Sequence, residues 1–128
     1  MRLLLDTHSL IWAVDDPSKL GPEAADAVQD QGNELLLSAG SIWEASIKVG
    51  LRKLELSLPF PQWMSRAMAD LGVTVLPITV EYADAQMRLP PHHGDPFDRL
   101  LAGQAKVENV SIVSGDPMFD RYGIPRLW

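Results

Sequence analysis

The chain has 128 residues, 46% of them hydrophobic, enough for about one domain with a proper core, and we expect residues 1–128 to form a single domain. It holds no cysteine, which excludes disulfides and thiolate metal sites and fits a reducing cytoplasm. The net charge of −6 disfavours nonspecific nucleic-acid binding, which rests on Lys and Arg, but the excess is local. Residues 1–37 set seven acids against Arg2 and Lys19, leaving only −1 for the remainder. No stretch approaches the roughly 20 apolar residues of a membrane span, and the opening Leu run meets Asp6 too soon for a signal peptide. We therefore expect a soluble, unexported protein without membrane contact.

Arg2 to Asp6 reads as a buried strand, followed by a short helix over Thr7–Ala13 that Asp6 or Thr7 can cap. Asp15-Asp16-Pro17-Ser18 breaks the pattern, and a second helix is expected from Pro22 to about Gln31, ended by Gly32-Asn33. Leu35–Leu37 is the second strand. Ser38 opens a helix with Ile42, Ala45, Ile47 and Val49 as apolar surface and Gly50 at its end. Residues 56–61 read as a loop or edge segment, Trp63–Leu71 as a helix stopped by Gly72, and Val73–Ile78 as a third strand. Pro77 puts that strand at an edge or marks its end, because proline cannot donate to a ladder. Val80–Leu89 is helical, Pro90–Gly94 a rigid loop, and Pro96 suits the first turn of a helix reaching about Glu108. Ile112-Val113 is the fourth strand, and Ile124–Trp128 is a candidate short edge strand. Such alternation implies an α/β fold with a central, mainly parallel sheet of four to five strands covered on both faces.

Asp6 and Asp116 follow apolar strand-like runs, so both should lie beyond the carboxyl ends of parallel strands, where open sheets bind ligands. Glu44 lies inside a helix and Asp98 near the start of another. Hard divalent cations such as Mg²⁺ and Mn²⁺ take oxygen ligands, and carboxylates that would otherwise repel one another become compatible around them. Water activated in such a site hydrolyses phosphodiesters without a covalent enzyme intermediate. That matters in a chain with neither a GxSxG elbow nor a GxxxxGK[ST] phosphate loop.

Each acid also has an ordinary explanation. Asp6 is either a ligand or a helix cap, and Glu44 either a ligand or a solvated partner of Lys48 four residues on. Asp95 and Asp98 are either site residues or helix-start acids, with Asp95 the better cap, and Asp116 sits before Pro117 where aspartate is common in turns.

Four segments carry a resemblance: Leu4-Leu5-Asp6-Thr7-His8, Ser38-Ala39-Gly40-Ser41-Ile42-Trp43-Glu44, residues 92–102 with Asp95 and Asp98, and Val113-Ser114-Gly115-Asp116 followed by Phe119 and Tyr122. In this order they resemble the PIN-domain ribonucleases, specifically the VapC-like toxins of bacterial type II toxin-antitoxin systems. The resemblance implies a three-layer α/β/α domain, a homodimer, RNA as substrate, Mg²⁺ or Mn²⁺ as cofactor, and a cognate antitoxin as inhibitor. It assigns the acidic site to Asp6, Glu44, Asp98 and Asp116, with Asp6 and Asp98 foremost as ligands, and matches Asp95 to a recurrent acid whose role stays open. Gly103 and Ser114 depart from the family pattern, but neither removes a carboxylate.

Thr7 and Ser114 are candidates to hydrogen-bond a neighbouring carboxylate or a bridging water. Arg99, Lys48 and His92 are candidates for RNA or antitoxin contact, beside Arg52, Lys53 and His93, although a solvated surface is the ordinary alternative. The four tryptophans are read as core or partner surface, with base stacking as the lesser reading. The competing function is a non-catalytic module that keeps the fold for dimerisation and partner binding. A phosphoaspartate hydrolase using Asp6 fits poorly, since the second aspartate two residues on is His8 here.

Overall fold

The computed structural model describes every residue of the chain except His93, so the part of the expectation that rests on His93 lies outside the described residues. Five strands, β1 (Arg2–Leu5), β2 (Glu34–Ser38), β3 (Thr74–Leu76), β4 (Ser111–Val113) and β5 (Arg126–Leu127), form one sheet in the order β3-β2-β1-β4-β5. Every pairing is parallel. Among the described residues, six α-helices connect and cover it: α1 (Thr7–Asp15), α2 (Pro22–Gln29), α3 (Ala39–Gly50), α4 (Phe60–Leu71), α5 (Val80–Met87) and α6 (Pro96–Glu108).

The continuous Leu runs of β1 and β2 arise because both faces of the central strands are covered. With Leu3, Leu4 and Leu5 in register with Leu35, Leu36 and Leu37, the period-2 alternation sends Leu4, Leu36 and Ile112 to one side and Leu3, Leu5, Leu35, Leu37 and Val113 to the other. The first set packs with Leu100, Leu101 and Ala105 of α6, Tyr82 of α5, and Phe119, Tyr122 and Ile124. The second packs with Leu10 and Ile11 of α1, Ala24 and Ala27 of α2, and Trp63, Met64 and Ala67 of α4. Each fully buried leucine contributes about 1.5–3 kcal/mol, so the three layers are held mainly by this double-sided burial.

Several boundaries differ from those expected. β1 stops at Leu5 because Asp6, whose N–H still reaches the Val113 carbonyl, caps α1. α4 begins at Phe60 rather than Trp63: Pro61 falls in its first turn, where a missing N–H costs nothing, so residues 60 and 61 belong to the helix and not to a loop or edge segment. β3 is an edge strand that ends at Leu76, one residue before Pro77. Two 3₁₀ turns, Pro17–Lys19 and Pro117–Tyr122, occupy stretches whose proline starts signalled only a break. Gly103 lies where α6 passes close to α5: a Cβ there would meet the Gln86 backbone nitrogen at 2.9 Å and its Cα at 3.1 Å. The glycine is thus a contact requirement rather than a loss of helix propensity.

Candidate metal centre

β1, β2 and β4 all deliver their carboxyl ends to one edge of the sheet, and the acidic residues follow them there. Asp6 is the N-cap of α1; its Oδ1 accepts the Ser9 N–H at 2.7 Å, while its own N–H donates to the Val113 carbonyl at 3.1 Å. Ser9 Oγ also donates to the Val113 carbonyl, at 2.8 Å, so β4 and the start of α1 are tied together at this point. Asp6 is therefore both a cap and a site-lining residue; the two readings of it are compatible.

Ser38 ends β2 and caps α3 through its Oγ, which accepts the Gly40 N–H at 3.0 Å. One and a half turns later α3 presents Glu44, only 6% exposed. Its Oε1 accepts the Thr7 hydroxyl at 2.5 Å and its Oε2 lies 3.0 Å from Lys48 Nζ. The helix pairing with Lys48 is present, but Glu44 is buried rather than solvated, and an almost buried carboxylate needs such partners.

Asp95 caps α6, its Oδ1 accepting from Phe97 N at 2.8 Å and from Asp98 N at 3.3 Å, which puts Asp98 in the first helical turn at the positive end of the helix dipole. After β4, the fully buried Ser114 accepts the Asp116 N–H on its Oγ at 3.0 Å, and Asp116 accepts Met118 N at 2.9 Å, capping the second 3₁₀ turn.

These residues share one cavity of about 140 Å³, lined by Asp6, Thr7, His8, Glu44, Lys48, Asp95, Asp98 and Asp116. Five carboxylates, one hydroxyl and one imidazole make a donor set suited to a hard divalent cation. Among the described residues, no three such side chains already converge as a closed ligand shell. A hydrated divalent cation fits a cradle of that kind, since such an ion can keep several waters and engage few carboxylates directly.

The remaining candidates lie elsewhere. Arg99 does not line the cavity; its guanidinium donates to the carbonyls of Gln86 at 2.7 Å, Pro90 at 3.0 Å and Leu89 at 3.3 Å, clasping the end of α5 and the loop before α6. His92 stacks obliquely on Tyr122 with ring centroids 5.4 Å apart. Trp63 is core, its indole N–H donating to Asp15 at 2.9 Å, whereas Trp43 is 61% exposed and meets Phe97 edge-on. Sequence reasoning assigned no role to His8, read Trp12 as core or partner surface with base stacking second, and assigned none to Lys19. A signal for the first two was present, since residues 8 and 12 are four apart and share a face of α1.

The chain matches the family model described as PIN domain over residues 3–125. It is 27% identical to Ribonuclease VapC22 of Mycobacterium tuberculosis over 125 residues, covering 97% of this chain and 94% of that protein. A chain of the VapBC2 crystal structure from Rickettsia felis, bound to a DNA fragment from their promoter, superposes with a TM-score of 0.69 at 17% identity, covering both chains in full. A chain of FitAcB from Neisseria gonorrhoeae gives a TM-score of 0.66 at 16% identity, over 97% of this chain and 95% of that one. These structures share its three-layer fold. With four motifs in order, their acids around one cavity and a family model spanning nearly the whole sequence, the chain belongs to the PIN domain family.

Proposed function

We propose that this protein is a metal-dependent endoribonuclease, the cytoplasmic toxin of a type II toxin-antitoxin module, acting as one catalytic unit over residues 1–128. The observation that carries the reading is the gathering of Asp6, Glu44, Asp95, Asp98 and Asp116 around a single cavity at the carboxyl edge of a parallel sheet. Family membership and the relative named as a ribonuclease support the reaction class, and the neighbours crystallised as toxin-antitoxin complexes support a protein inhibitor. The apolar row of Trp43 and Ile47 on α3 and Leu51 at its C-cap, all exposed, is consistent with partner contact, including a second copy of the chain.

Asp6, Asp98, Asp116 and Glu44 would hold the cation, Mg²⁺ or Mn²⁺. Once bound, it supplies Lewis acidity toward the phosphodiester and the attacking water. The protein's part is orientation. Thr7 fixes the rotamer of Glu44, and Ser114 fixes the turn that aims Asp116. Lys48 neutralises Glu44 and is the wall cation able to reach a phosphate, while Arg99 holds the loop carrying Asp95.

The test is Asp98→Asn in purified, antitoxin-free protein. RNA cleavage and growth arrest should both disappear while the melting temperature without metal stays near that of the wild type. Full cleavage by this variant would refute the reading. A wild-type protein that cleaves no RNA and gains no thermal stability from Mn²⁺ would instead be the non-catalytic interaction module.

A further inference from the structure

A second cavity opens beside the carboxylates. It has a volume of about 530 Å³ and is lined by Asp6, His8, Trp12, Lys19, Gly115, Asp116 and Trp128. Asp6, His8 and Asp116 belong to both cavities, so whatever enters one is contiguous with the other. Its walls are of a different kind. His8 and Trp12 have ring centroids 5.5 Å apart, and Trp12 and Trp128 5.9 Å apart, so three aromatic rings run outward from the acidic cluster.

The platform is held in place before anything binds. Gly115 and Gly21 flank Trp128 so closely that a Cβ on either would meet the indole, at 2.9 and 2.8 Å. The backbone of Trp128 accepts from Glu23 N at 3.1 Å, and neighbouring Leu127 is in register with Val113 and accepts from Ser114 N at 3.2 Å. Trp12 and Trp128 pack on the core with one side yet remain half-buried, and the other side bounds the cavity. Lys19, exposed and 3.8 Å from Asp16, is the single cation of the wall.

We propose that this cavity is a base subsite: it receives one unstacked nucleobase of single-stranded RNA next to the phosphate positioned at the carboxylates, with Lys19 meeting the neighbouring phosphate. The inference rests on the ribonuclease reading above and adds to it the residues that would receive a base beside the cleaved bond. Duplex RNA keeps its bases stacked and offers no free face, whereas single strands are held by aromatic platforms and cationic contacts. The chain as a whole is acidic, so affinity has to come from stacking more than from charge.

The experiment measures binding of a labelled single-stranded oligoribonucleotide in the cleavage-silent Asp98→Asn background, and cleavage of the same oligonucleotide in the otherwise wild-type chain. Trp12→Leu, which keeps apolar packing but removes the ring face, should weaken binding and raise KM about tenfold with kcat within about twofold; Trp12→Phe should restore most of the loss. If Trp12→Leu does not fold, an oligonucleotide made abasic beside the cleavage site tests the wild-type protein directly. It should lose about the same affinity; where Trp12→Leu does fold, that variant should bind the abasic and intact oligonucleotides alike.

Unchanged affinity for the abasic oligonucleotide, or equal binding of duplex and single strand, would overturn the subsite even if cleavage is robust. So would Trp12→Leu weakening antitoxin binding while RNA affinity holds, which would make the cavity the inhibitor's. A wild-type chain that cleaves no RNA at all would refute the ribonuclease reading itself, a result read separately from these binding measurements.

Discussion

The two ends of the sheet carry acidic residues in opposite circumstances. At the amino end, Arg2 donates to Glu108 at 3.1 Å and lies 3.4 Å from Glu34, and Tyr82 donates its hydroxyl to Glu108 at 2.9 Å. The Arg2 hydrogen bond, and then that of Tyr82, holds the Glu108 carboxyl below the usual carboxylate range. At the carboxyl end, five carboxylates line one cavity together with Lys48, whose Nζ lies 3.0 Å from Glu44. Acids spread along a surface and tied to cations stabilise a fold; acids brought to one cavity beyond the carboxyl ends of strands form a place where a cation can be held.

The largest effect that would sharpen this contrast is Asp6→Asn. Asparagine still caps α1, so melting should change little, while cleavage should fall by more than about 100-fold, beyond what loss of a supporting partner of a metal ligand costs. Mn²⁺ should raise the wild-type melting temperature by ligand linkage and leave the variant unmoved. Equal metal stabilisation of both would break the contrast. Thr7→Val comes next. It leaves the buried Glu44 without its hydroxyl donor, and we expect activity to drop about 10- to 100-fold in steady-state assays.

Gly103→Ala is a control lying between the ends. Overpacking against the Gln86 backbone should cost about 1–3 kcal/mol in urea denaturation, with cleavage per folded molecule unchanged. The smallest effect is at the amino end. Because the folded pKa of Glu108 is depressed, its stabilisation is complete above the unfolded value of about 4.3 and is lost as pH falls through the folded value. Arg2→Met should flatten this acid dependence in chemical denaturation and leave cleavage unaltered.

Local pattern made the acids candidates, through a carboxylate after an apolar run, a proline after Asp95 and a Ser cap six residues before Glu44, but left each an ordinary reading, and it was the order of the four family-like segments that joined them into one site. The same rules read Pro77 as the end of a strand or the mark of an edge, and β3 is an edge strand that stops just before it. They misplaced the start of α4, where two prolines suggested a loop although one suits a first turn. The aromatic cavity was not legible, because Trp12 and Trp128 meet only through the long-range pairing of β5 with β4, and neither residue reveals that partner locally. Arg99 was misleading for a related reason: its neighbour is Asp98, but its hydrogen bonds go to carbonyls 9 to 13 residues earlier.

The tie between Asp6 and Val113 joins the start of the chain to a strand laid down near its other extremity. A nascent polypeptide on the ribosome, or a copy clipped ahead of Ser111, already carries Asp6 and Glu44 but lacks the strand against which the first is set. The acidic cavity is therefore completed only when β4 packs beside β1 and brings Asp116 after it.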